Sequence, residues 1–206
     1  PNFRSTLRCP VCKTPPRERA LLYVINQLYP NWRNLAIHES SPNVKIGVSA
    51  KLARAPGYVE TQYDPSIPWG STHPVRGYRS ENLEAQTWPD ERFDLVITQD
   101  VFEHLFRPDD AIREIARTLK PGGAHICTFP ITQKGKPTRL RASIQDGQVV
   151  HHLPPDYHGN PVAKESLMTI DWGYDVAGYL ARHSGLNTFI WSIDNIDLGI
   201  RANFNE

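Results

Sequence analysis

The 206-residue chain lacks an excess of either charge: 23 Lys and Arg stand against 22 Asp and Glu, a formal +1 with neutral histidines. That balance removes the electrostatic case for a nucleic-acid or anionic-membrane partner, and no basic face with interleaved aromatics restores it. Apolar runs are short, and none approaches the roughly 18–20 residues that a membrane-spanning helix needs. Cysteine is scarce. Cys9, Cys12 and Cys127 cannot form a disulfide framework, and they point to a reducing, cytoplasmic setting. No secretory leader, internal repeat or low-complexity stretch is visible. Proline, in contrast, is plentiful, with 18 residues, about 9 % where ~5 % is usual. The prolines fall mostly between periodic segments, so long ordered loops are expected rather than disorder. The length suits one domain with a sizeable core.

The most informative stretch is FDLVITQDVFEHLFRPDDAIREIARTLKPGGAHICTFP, residues 93–130. Residues 93–98 form a short apolar run, right for a strand buried on both faces. Asp100, Glu103 and His104 follow at once, so polar groups gather where that strand ends. Pro108 presets φ for a helix start, and Asp109 or Asp110 can cap it. Ala111, Ile112, Ile115, Ala116 and Leu119 recur at helical spacing. Lys120-Pro121-Gly122-Gly123 stops the helix, and residues 124–129 read as a second buried strand. A strand–helix–strand unit of this kind crosses over right-handed between parallel strands.

This order of strand, Glu-His pair, RTLKPGG turn and second strand resembles the fourth strand, fourth helix and fifth strand of class I S-adenosylmethionine-dependent methyltransferases. The similarity is to the group with a Glu-His pair that acts on small molecules or lipids. It is strong over residues 93–130 and looser over 35–205. It implies a single α/β domain over residues 1–206, with a Rossmann-like, doubly wound sheet of seven strands, mostly parallel, one antiparallel near the C-terminal end. An irregular segment at 1–16 precedes it, and a long insertion at 131–170 follows the fifth strand and covers the site. Further helices are expected at 17–29, 43–54 and 171–184, and strands at 58–63, 75–79, 188–193 and 196–202.

The resemblance also implies a cofactor, S-adenosylmethionine, with S-adenosylhomocysteine as product. Where the family carries an acidic residue followed by a Gly-x-Gly loop, this chain reads His38-Glu39-Ser40-Ser41-Pro42. The glycines that let backbone approach a ligand are missing, but Glu39, Ser40 and Ser41 offer a carboxylate, two hydroxyls and backbone N–H groups, with His38 beside them. The competing reading is a strand-to-helix turn with serine as N-cap. Gln62 stands where the family places an acid on the ribose hydroxyls; it can accept from one hydroxyl and donate to another. Tyr63 follows it. Asn82 and Leu83 suit the adenine amino group and ring, although Asn is also a common turn residue. Gln99, Asp100 and Val101 complete the expected cofactor contacts.

For methyl transfer the sulfonium makes the methyl group electrophilic, so alignment supplies much of the rate. An oxygen acceptor gains from a general base, and His is best poised near neutral pH. His104, His158 and Tyr157 are the candidate catalytic residues, and the expected partner is a small-molecule acceptor. The rival is an accessory domain that keeps the fold without the chemistry. No metal is expected: Cys9-Pro10-Val11-Cys12 is only half of a zinc site, and His151 and His152, as neighbours in extended chain, point oppositely.

Overall fold

The computed structural model describes residues 6–43, 46–132, 135–160, 162 and 164–201. The first residues of the N-terminal segment, residues 44 and 45 of the expected second helix, parts of the insertion and the end of the last expected strand lie outside these.

Five parallel strands form the central sheet in the order β3-β2-β1-β4-β5: β1 Ile37–Ser40, β2 Tyr58–Gln62, β3 Arg79–Ser80, β4 Phe93–Gln99 and β5 Leu119–Thr128. The interior strand β4 is buried because its side chains alternate between two cores. Leu95 and Ile97 join Leu21, Ile25, Trp32 and Ile37 on one face, while Val96 joins Phe102, Ile112, Ile115 and Trp172 on the other. A parallel sheet needs cover on both faces. Helix α1, Pro16–Leu28, starts with proline at its first position and lays Leu21 and Ile25 onto the first core. Helix α3, Pro108–Thr118, buries Ala111, Ile112 and Ile115 against the second, beside α4, Val176–Ser184. Gly185 ends α4 at φ 71°, the left-handed cap position that favours glycine. The Lys-Pro-Gly-Gly segment turns as expected, with Gly122 at φ 79°, yet it appears as a register shift in the β4–β5 ladder between Leu119 and Ala124.

Several expectations need correction. The sheet has five strands among the described residues rather than seven. Residues 188–193 alternate like a strand, but no ladder pairs them, and Phe189 remains 76 % exposed; an isolated bridge between Asn195 and Ile200 closes a turn. Alternation supplies a face for a strand, whereas pairing has to come from a neighbour. The helix expected over 43–54 shortens to α2, Ser49–Leu52, because Gly47 at φ 70° breaks it; Glu18 of α1 accepts the Val48 N–H at 3.0 Å. The strand expected over 75–79 contracts to β3: ahead of it the chain turns, with His73 Nδ1 accepting from the N–H groups of Val75 and Arg76. The insertion is built from three two-stranded antiparallel ladders. They pair β6, Arg139–Leu140, with β11, Ile170–Asp171; β7, Ala142–Gln145, with β8, Gln148–His151; and β9, Tyr157–Asn160, with β10, Lys164–Leu167. Each ladder joins only two strands of two to four residues, too short to print a periodic pattern, which is why their sequence looked irregular.

Candidate active site

The carboxyl ends of β1, β2 and β4 lie together, since β1 sits between the other two. Glu39 is the hub. It shares a face with Ile37 and Gln99, and its buried carboxylate accepts three hydrogen bonds: from Ser49 Oγ at 2.8 Å, Tyr58 OH at 2.8 Å and Gln99 Nε2 at 2.7 Å. Burial raises its pKa, and these donors oppose the rise. Glu39 and Gln99 therefore bind each other, tying β1, β2, α2 and β4 into one unit. Ser41 follows at φ 56°, the left-handed conformation that glycine usually supplies, and its N–H donates to the Thr61 carbonyl at 2.7 Å. Gln62 Nε2 donates to the Pro42 carbonyl at 2.9 Å and holds the loop after β1; its amide oxygen is the acceptor the side chain still offers. So the glycine-free loop takes a conformation of the kind glycine permits, fixed from β2 by the Thr61 carbonyl and the Gln62 side chain.

The remaining expected cofactor residues divide. Tyr63, at the end of β2, is 55 % exposed and pairs with Trp69 at a ring separation of 5.2 Å, an open aromatic ledge. Asn82 Oδ1 accepts the Glu84 N–H at 3.0 Å, so the turn role is real, and its amide N–H₂ is the group left for a ligand. The Glu84 carboxylate in turn accepts from the N–H groups of Phe106 and Arg107, stapling the loop after β3 to the loop after β4. Leu83 is buried in the second core. Asp100, at φ 52°, forms an ion pair with Arg17 of α1 at 2.9 Å, which draws α1 over the strand ends; Val101 opens the following 3-10 turn, Phe102–His104. Ser40 is buried at the end of β1. His38 is a correction. It is 0 % exposed, on the sheet face opposite Glu39, bonded to Thr61 Oγ1 at 2.8 Å and packed on Phe93 and Trp88. Adjacent strand residues point to opposite faces, so His38 and Glu39 cannot serve one site.

Of the three candidate catalytic residues, the structure joins two. His104 Nδ1 lies 2.8 Å from the Leu167 carbonyl. A carbonyl only accepts, so Nδ1 carries the proton and a neutral ring presents a bare Nε2. Burial lowers the His104 pKa, with the Leu167 bond opposing. His158 lies edge-on to His104 with ring centroids 5.3 Å apart. Tyr157 does not join them: as the strand neighbour of His158 it faces away and is 53 % exposed. Sequence reasoning missed Ser49, Tyr58 and Arg17, whose donors fix the site, and Trp69, whose only signal was an aromatic in a Pro/Gly-rich loop. The three cysteines are free; Cys12, bonded to Thr14 Oγ1 at 2.9 Å, has its pKa lowered to about 7.

The family described as a methyltransferase domain matches residues 61–127, which run from the end of β2 into β5 and take in the carboxyl ends of β2 and β4 but not that of β1. Over that third of its length the chain resembles class I S-adenosylmethionine-dependent methyltransferases. It is 30 % identical over 110 residues to a ubiquinone biosynthesis O-methyltransferase of Roseobacter denitrificans, covering 53 % of this chain and 40 % of that protein. It is 29 % identical over 136 residues to the protein of the same description from Cereibacter sphaeroides, covering 60 % and 51 %. The chain thus spans about half the length of the curated relatives it matches. Among solved structures, the PH0226 protein of Pyrococcus horikoshii OT3 superposes with a TM-score of 0.51 at 15 % identity, covering 87 % of this chain and 84 % of that one, a likeness of fold. No helix among the described residues is long and apolar enough to cross a membrane.

Proposed function

We propose that the chain transfers a methyl group from S-adenosylmethionine to an oxygen of a small-molecule acceptor. The observation that carries this reading is the His104 imidazole, held by the Leu167 carbonyl with Nε2 unprotonated, immediately beyond β4 in a family-matched sheet. The cofactor would lie across the ends of β1, β2 and β4, between Gln62, the Tyr63–Trp69 ledge and Asn82. Its sulfonium supplies an electrophilic methyl group. The acceptor oxygen forms the new C–O bond as the C–S bond breaks, sulfur keeps the electron pair, and the acceptor proton passes to His104 Nε2. A group that is neutral at neutral pH suits that step. His158 sits on a hairpin docked against His104 and would cover the acceptor, excluding water. The relatives described as O-methyltransferases favour oxygen. The three free cysteines favour a reducing compartment such as the cytoplasm.

The rival, an accessory domain, draws on one observation: the Glu39 carboxylate is already engaged by three donors. Calorimetry with S-adenosylhomocysteine separates the two. The catalytic reading expects saturable binding, and His158→Ala should leave that affinity nearly intact while lowering turnover about 10²–10⁴-fold if His158 shares the proton transfer. His104→Ala should lower turnover at least as far and weaken the cofactor as well, lying nearer the donor. With product cofactor bound, His158 should come within about 8 Å of the sulfur, a methyl group plus a hydrogen-bond reach. Absence of binding at millimolar concentration would favour the accessory role.

A further inference from the structure

We infer that Glu103, His104 and His158 form a binding site for one borderline divalent transition-metal ion, of the zinc or cobalt type. Each offers a ligand atom, and these atoms all lie within 4.8 Å of one another. Two imidazoles and one carboxylate are a donor set such ions select, whereas magnesium and calcium prefer oxygen alone. Adjacent ligand atoms around a tetrahedral zinc are separated by roughly 3.3 Å, given bonds of about 2.0–2.1 Å. The cluster therefore needs to contract by up to about 1.5 Å, within reach of side-chain rotation.

The backbone has fixed what such a site requires. Residues 103 and 104 sit on the 3-10 turn after β4, and the segment leaving β10 is fastened along that turn. Thr169 donates to the Glu103 carbonyl through its N–H at 2.8 Å and its hydroxyl at 3.1 Å, and the same hydroxyl donates to the Leu105 carbonyl at 2.6 Å. His158 faces Ser166 in the β9–β10 ladder, so these bonds carry it to His104. The Nδ1–H of His104 is spent on the Leu167 carbonyl, the outer bond that orients a metal-binding imidazole and leaves Nε2 for the ion. Glu103 is 1 % exposed, and a buried carboxyl beside two imidazoles is a donor group suited to a dication. With an ion held here His104 Nε2 is a ligand and no longer the base; the ion would take over activation of the acceptor, its open coordination positions lowering the pKa of a hydroxyl bound to it. That use rests on the proposed methyl transfer; the binding itself does not.

The test uses the whole chain with Cys9→Ser and Cys12→Ser, which removes the competing thiols, stripped of metal with a chelator. Zinc calorimetry and the visible spectrum of added cobalt are the two readouts. One ion per chain and a cobalt spectrum with nitrogen and oxygen ligands are expected. His158→Ala, on an exposed hairpin and so safe for folding, should weaken zinc at least ~100-fold, beyond the ~10–100-fold that outer-shell changes cost. Glu103→Gln should do the same if urea unfolding shows it folded. Thr169→Val, which removes two bonds but no ligand, should weaken zinc less than either. Zinc binding that is absent at 1 mM, or unchanged by His158→Ala, overturns the inference. Product-cofactor affinity is measured in parallel: cofactor binding without metal binding rejects the metal and keeps the methyltransferase reading, and the reverse pattern does the opposite.

Discussion

The buried His38 makes a quantitative pH prediction. Its ring is wholly enclosed, bonded to Thr61, and burial lowers its pKa from 6.5 to about 3. A histidine kept neutral in the fold costs nothing above its unfolded pKa, and stability is lost as pH falls below about 6.5 toward the folded value. One pKa unit is worth about 1.4 kcal/mol. At pH 5 the unfolded chain has gained one proton that the folded chain refuses over about 1.5 units, so His38 alone removes about 2 kcal/mol relative to pH 8. His125, bonded to Thr98 and lowered to about 4 by burial, acts in the same direction. It keeps some solvent contact, so His38 is the cleaner probe. Two such terms are a large share of a typical 5–15 kcal/mol. The assay is urea unfolding between pH 8 and pH 5 for the wild type and His38→Gln. The variant should be less stable at pH 8, from imperfect packing, yet flatter below pH 6.5, with the two curves converging by about 2 kcal/mol at pH 5. Taking the difference cancels every other titrating group. Parallel curves across this range would refute the reasoning, and would mean that His38 is hydrated or already charged in the fold.

The other predictions are briefer. Ser41→Gly should raise stability by about 1 kcal/mol, since a non-glycine left-handed residue costs about that much, seen as a rise in Tm of roughly 2–4 °C for a chain of this size; an unchanged or lower Tm would show that the Ser41 side chain earns its place. Tyr63→Ala should weaken S-adenosylhomocysteine about 3–10-fold in calorimetry through loss of ring stacking, and an unchanged affinity would move the adenine away from the Tyr63–Trp69 ledge. The Cys9–Cys12 pair alone should hold no stoichiometric zinc, checked by elemental analysis of the otherwise unaltered chain carrying His158→Ala.

Legibility in the sequence followed the range of the interactions. Residues 93–118 read correctly because β4 and α3 are set by local patterning: an apolar run, a proline start and a 3.6-residue repeat. The span expected at 17–29 and the helix end expected at 184 were legible for the same reason, each within a residue of α1 and α4. Partners far along the chain were not. Nothing near Glu39 announces that Tyr58 and Gln99 will share its carboxylate, 19 and 60 residues away. His158 could be nominated by type, but its meeting with Glu103 and His104 depends on a docking made by Thr169 and Leu167. The same locality explains the two failures of kind. His38 was grouped with Glu39 by adjacency, although strand geometry parts them, and residues 188–193 carried strand periodicity without a partner to pair with.

The loop after β1 ties these points to the cofactor. In the pattern this chain departs from, glycines open the backbone and an acid leads them; here the acid has turned inward. If Glu39 serves mainly to hold β1, β2, α2 and β4 in register, its loss should act on affinity through the loop. Glu39→Ala strips one buried acceptor from three donors. A buried donor left unsatisfied costs about 1–3 kcal/mol, so a loss of at least about 3 kcal/mol in urea unfolding is expected, along with about a tenfold weaker S-adenosylhomocysteine, or ~1.4 kcal/mol. Tyr58→Phe and Ser49→Ala each remove one donor without altering the carboxylate. Tyr58 in particular donates from the β2 side, where the loop is pinned by Gln62. As a positioning residue Glu39 should pass part of its effect to them: each should weaken the cofactor about 2–5-fold, tracking its own loss of stability of about 1 kcal/mol per hydrogen bond. A direct ligand would behave differently. Its removal would still cost tenfold, but Tyr58→Phe and Ser49→Ala would free the carboxylate and leave affinity equal or higher. That second pattern, in calorimetry on variants shown to be folded, would refute the positioning role and return Glu39 to the cofactor.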